Sequence, residues 1–140
     1  QDLFQRFPPS IIVTDYTNER TFSEILIKHY GERKVEPVLF TQANKLRLKQ
    51  EGLKILQMGY KFPARLADSQ LQSWVLELIQ QLKHEQMIVT PSGRPSFNHP
   101  TGAHNDLAIA WELSVHGCQK LMSRPKPSIR VGTMGSMAVR

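Results

Sequence analysis

Two β-branched runs constrain this chain most: IIVT at 11–14 and VEPVLF at 35–40, with a helical segment between them. Within ERTFSEILIKHYG the side chains of Phe22, Ile25, Leu26 and Tyr30 recur at helical spacing, and Gly31 supplies a stop. Strand, helix, strand in that order is a βαβ unit, which implies a parallel pair with ligands outside the carboxyl ends of the strands. Pro37 lacks an N–H, so its strand is expected at an edge or to be irregular. Two more helices follow. One spans 42–58 with Thr41 available as cap; the other spans 69–85, where Leu71, Trp74, Val75, Leu78, Ile79 and Leu82 form the clearest apolar stripe. Trp74 and Trp111 are both expected in the core. MIVT reads as a short strand, followed by a Pro/Gly-rich loop and a last helix over 103–121. SRPKPSIRVGTMGSMAVR has no periodicity and no acidic residue, the pattern of a flexible basic tail. The expected division is one α/β domain over 1–121 and a tail over 122–140.

Charge narrows the partners. Lys and Arg number 18 against 12 Asp and Glu, a net charge of +6 that suits a polyanion, most economically nucleic acid. Lys45, Arg47, Lys49, Lys54, Lys61 and Arg65 cluster in one third of the chain, either to neutralise phosphates or as a solvated helix face. Lys45, at a helix start, is the first choice for a phosphate contact, and Arg94 in the Pro/Gly-rich loop is the second. The single cysteine, Cys118, excludes an internal disulfide and a cysteine-based zinc site. No run is long enough to span a bilayer and no secretory signal is visible, so an intracellular, reducing location is expected.

Acidic residues fall at two informative places. Asp15 closes the first strand, and Asp106 opens the last helix within PTGAHNDLAIAWELS, beside His104 and Asn105. Each has an ordinary explanation: a strand-end Asp bonds to the following turn, and a first-turn Asp suits the positive end of the helix dipole. Each also suits a divalent cation, if the two converge at the carboxyl end of the strands. Glu112, more than a helical turn past Asp106, is a poor co-ligand.

The order IIVTDYTN, amphipathic helix, VEPVLF, the lysine-bearing FTQANKLRL, a Gln- and Leu-rich helix and HNDLAIAWEL resembles the nuclease domain of the large subunit of viral, tailed-phage type, DNA-packaging terminases. The resemblance runs from about Ile11 to Gly117. It implies a ribonuclease H-like α/β fold, a small, mostly parallel sheet flanked by helices. It also implies two Mg²⁺ or Mn²⁺ ions and cleavage of concatemeric double-stranded DNA. Matched by motif, Asp15 takes the second acidic position and Asp106 the third, as metal-binding and catalytic residues. His104 and Asn105 are accessory, with Asn105 where many members carry another Asp. Lys45, Arg47, Lys49 and Arg94 would contact DNA. The family's first metal-binding Asp lies on an earlier strand, and only fourteen residues precede Asp15 here, so the N-terminal strands are expected to be absent. The implied partners are double-stranded DNA, the terminase ATPase domain, the small terminase subunit and the portal protein, with no membrane, in the cytoplasm of an infected host cell. The alternative is a catalytically incomplete module of the same fold that binds DNA or a packaging component.

Overall fold

The computed structural model describes residues 4, 8–93, 95–98 and 105–125, with the side chains of Gln86 and Asn98 left aside. It is a mixed α/β structure. Strand β1 (Ile12–Asp15), helix α1 (Arg20–Tyr30) and strand β2 (Val35–Val38) form the βαβ unit. Helices α2 (Gln42–Gln57) and α3 (Ser69–His84) follow, then strands β3 (Gln86–Val89) and β4 (Pro95–Asn98) and helix α4 (Asp106–Ser123). β1 and β2 pair in parallel, with Ile12 opposite Val35 and Asp15 opposite Val38. β3 and β4 form a separate antiparallel hairpin. The single mostly parallel sheet expected from sequence is therefore two sheets of two strands each among the described residues. The Pro/Gly-rich loop was in part the second arm of that hairpin.

Local chemistry explains the element ends. Gly31 ends α1 at φ 84°, a conformation costly for any side chain. Thr41 caps α2, its side chain accepting from the Asn44 amide. Asp68 caps α3 by accepting from the Gln70 and Leu71 amides at 2.8 and 3.0 Å.

The amphipathic faces differ from those expected. On α1, Ser23 and Leu26 are buried, whereas Phe22 and Ile25 are more than half exposed. The Ser23 hydroxyl donates to the Glu19 carbonyl at 2.9 Å, so Thr14 of β1 is left to donate to Ser23 at 2.8 Å. This buried polar link turns α1 toward β1 through its small side chain. On α3, Trp74 is 52% exposed, not core. It lines an apolar groove with Leu71, Val75, Leu107, Ala110 and Trp111. Trp111, at 9%, is core as expected.

The core gathers Val38, Leu48 and Leu113, with Val13, Phe40 and Ile109 packed against them. α4 comes very close to the strands. A Cβ on Gly117 would meet a Val13 methyl at 2.8 Å, so only glycine lets helix and strand approach this far. The direction of α4 follows from its contacts. Ile109 shares a cleft with Phe40, beyond the end of β2, and Leu113 joins Val38 in the core. Further along, Lys120 pairs with Glu36, and the Arg124 guanidinium donates to the Arg33 carbonyl at 2.8 Å. Helix α4 thus runs antiparallel to the strands, and its first turn stands at their carboxyl ends. None of the described helices is long and apolar enough to cross a membrane.

Candidate functional site at the carboxyl ends of the strands

Asp15 ends β1 and organises the turn that follows. Its Oδ1 accepts from the Thr17 amide at 2.8 Å and the Asn18 amide at 3.4 Å, and its Oδ2 accepts from Asn18 Nδ2 at 2.8 Å. The strand-end turn role is therefore filled. Oδ1 already accepts two hydrogen bonds and Oδ2 one, so the lone pair left over for an ion is on Oδ2. The same turn reaches the start of the next helix: Thr17 Oγ1 accepts from the Phe40 amide at 2.6 Å.

Asp106 is the exposed first residue of α4. It keeps its ordinary place in the first turn, at the positive end of the helix dipole, while the capping hydrogen bonds come from another helix. Gln81 of α3 is buried, and its Oε1 accepts from the Leu107 and Ala108 amides at 3.0 and 3.1 Å. Gln81 is held in turn by a bond from its Nε2 to Glu77 at 3.1 Å. Asn105 occupies the N-cap position with no side-chain cap bond. Among the described residues, then, the carboxylate of Asp106 and the amide of Asn105 are both unpartnered although they open a helix. The antiparallel run of α4 brings Asp106 to the strand ends where Asp15 lies. Among the described residues, no group of three or more His, Cys, Asp or Glu side chains is placed to hold a metal ion. His104 and Arg94 lie outside the described residues.

A cleft of about 210 Å³ opens beside these residues. Phe40 and Phe97 form aromatic walls, with Gln42, Lys45 and Asn105 contributing polar groups. The ammonium of Lys45 lies 5.8 Å from the centre of the Phe40 ring and is exposed. Its floor is a buried ion cluster: Lys49 pairs with Glu85 and, at 2.9 Å, with Glu112. Burial raises the Glu112 carboxyl above its ordinary 4.5, and the hydrogen bond and charge of Lys49 pull it back down.

The three basic residues of α2 expected to contact DNA, Lys45, Arg47 and Lys49, are separated. Lys45 opens onto the cleft. Lys49, one turn further along the same face, is a correction to the expected surface cation: its ammonium is turned inward onto two carboxylates. Arg47 points to another groove, lined also by Glu36, Glu51, His116 and Lys120. Successive residues on a helix are rotated by about 100°, so Arg47 cannot share the face of Lys45 and Lys49. In that second groove His116 Nδ1 lies 3.0 Å from Glu51.

Gln81, Glu85 and Phe97 are absent from the residues singled out by sequence. Glu112, which the sequence makes a poor co-ligand of Asp106, pairs with Lys49. Comparison with known protein families, with curated proteins and with solved structures finds no match in any of the three.

Proposed function

We propose that this chain is a ribonuclease H-like, metal-dependent endonuclease of terminase type, cleaving double-stranded DNA during the packaging of a viral genome. The observation that carries the reading is the division of labour at the start of α4. Gln81 caps the helix, so the carboxylate of Asp106 in its first turn makes no hydrogen bond among the described residues, and α4 runs antiparallel to the strands, the first of which Asp15 ends. The order of motifs along the chain and the net positive charge support the same reading.

The donor chemistry suits Mg²⁺ or Mn²⁺: carboxylate oxygens on two different elements, with no sulfur ligand or buried imidazole beside them among the described residues. A two-ion site needs more ligands than these two, and the described residues do not supply a third. When bound, such ions provide a Lewis acid and an activated water for phosphodiester hydrolysis. Asp15 and Asp106 are the residues to hold them. Asp15 is fixed by its turn hydrogen bonds, which hold its oxygens before an ion arrives. Lys45, exposed near the start of α2, is the residue to neutralise a backbone phosphate.

A second reading, the catalytically incomplete DNA-binding or packaging-interaction module, is favoured by one observation: both Asp15 oxygens already accept hydrogen bonds, and among the described residues no third ligand joins Asp15 and Asp106. Supercoiled plasmid with Mn²⁺ or Mg²⁺ separates the two. The nuclease reading expects nicking that falls at least about a hundredfold in Asp15→Asn and in Asp106→Asn, the equivalent of about 2.7 kcal/mol of transition-state stabilisation. Nicking equal to wild type in both variants overturns it. Salt-dependent DNA binding without any cleavage supports the module instead.

A further inference from the structure

We infer that the cleft between α2, the β3–β4 hairpin and the start of α4 holds one unpaired nucleotide of a DNA strand, so that the protein engages a frayed or displaced strand beside Asp15 and Asp106. The inference rests on the DNA-acting reading above.

Size is the first argument. At about 210 Å³ the cleft has room for a single planar ring system. Its walls are the second. Phe40 and Phe97, from different elements, both line it, and base–aromatic stacking is the sequence-tolerant way to hold an unpaired base. Polar chemistry is the third. Gln42 and Asn105 line the cleft with side-chain amides that make no hydrogen bond among the described residues. Amides of this kind match the paired donor and acceptor groups of a base edge. Lys45 brings the one lysine of the cleft that makes no ion pair among the described residues, and a phosphate attached to the base is its natural counter-ion. Both carboxylates at the floor, Glu85 and Glu112, are held by Lys49, which leaves Lys45 as the cation that meets the phosphate. Finally, the Phe40 amide bond to Thr17 ties one wall of the cleft to the Asp15 turn, so the cleft adjoins the acidic end of β1.

The test is fluorescence anisotropy with a labelled short single strand and the matching blunt duplex, in EDTA so that no metal site contributes. Wild type is expected to bind the single strand about tenfold more tightly than the duplex. Phe97→Leu, which keeps an apolar side chain and whose folding is checked by circular dichroism, is expected to remove about tenfold of single-strand affinity and leave the duplex unchanged. Lys45→Gln is expected to weaken both and lower the salt dependence. Equal affinity for both forms, or a Phe97→Leu variant indistinguishable from wild type, overturns the inference while leaving metal-dependent cleavage standing. A free deoxynucleoside monophosphate that binds as tightly as the strand also overturns it, in favour of a mononucleotide site. Failure to bind either DNA form counts against the DNA-acting reading itself.

Discussion

Replacing Lys49 by methionine is expected to destabilise the fold by about 3–5 kcal/mol, the cost of leaving buried carboxylates without their counter-ion. Lys49 joins α2 to Glu85, at the α3–β3 junction, and to Glu112 on α4, and all three side chains are almost wholly shielded from water. Methionine fills similar volume, so the loss measured is that of the charge. The pH dependence gives a second signature. Glu112 holds its proton more tightly folded than unfolded, because burial outweighs the pull of Lys49. The native state therefore binds more protons than the unfolded chain in the window above 4.5, and this group's contribution to stability falls as pH rises through that window. Removing Lys49 raises the Glu112 carboxyl further and widens the window. Urea unfolding should accordingly show the largest deficit of Lys49→Met at mildly alkaline pH and a smaller one near the carboxylate range. Adding Glu112→Leu to Lys49→Met should recover part of the loss, since the two substitutions touch one interaction. A Lys49→Met protein within about 1 kcal/mol of wild type at alkaline pH would contradict a buried cluster.

The two tryptophans should behave oppositely. Trp111→Ala is expected to cost about 3–5 kcal/mol through lost burial and the cavity left behind. Its ring packs against Tyr60 and Phe62 at centroid distances of 6.0 and 5.9 Å. On its other side lies the backbone of Gly52, where an added Cβ would come within 2.9 Å of the indole. Trp74 is half exposed, and Trp74→Ala is expected to cost about 1 kcal/mol, as for an ordinary point substitution. Equal costs in chemical denaturation would contradict the placement of α3 against α4.

Periodicity made the elements legible and left their partners unread. The strand–helix–strand order, the Thr41 cap and the Gly31 stop are all local signals, and each appears where the residues indicate. Apolar spacing on α1 pointed to Phe22 and Ile25, yet the helix turns its Ser23 side toward β1, because a hydroxyl can satisfy Thr14 where a larger side chain would hold the elements apart. On α3 the stripe is wider than the surface α4 covers, so Trp74 is left at its margin. Of the site, Asp15, Lys45 and Asn105 could be named from their positions at element ends. Gln81 could not: a cap supplied from another helix leaves no trace in the sequence around the helix it caps. Lys49 illustrates the same limit. A lysine on an amphipathic helix reads as solvated, and only the arrival of Glu85 and Glu112 from distant segments makes it interior.

Manganese titration followed by loss of backbone amide signals in the nuclear magnetic resonance spectrum tests most directly whether Asp15 and Asp106 share one cation site. Paramagnetic broadening falls steeply with distance, so each amide reports how near the ion binds. The account predicts that the amides of Thr17, Asn18 and Leu107 broaden first and together, and that Asp106→Asn removes the effect at all three. Broadening confined to one of the two segments, or appearing first around Glu36 and Glu51, would contradict it.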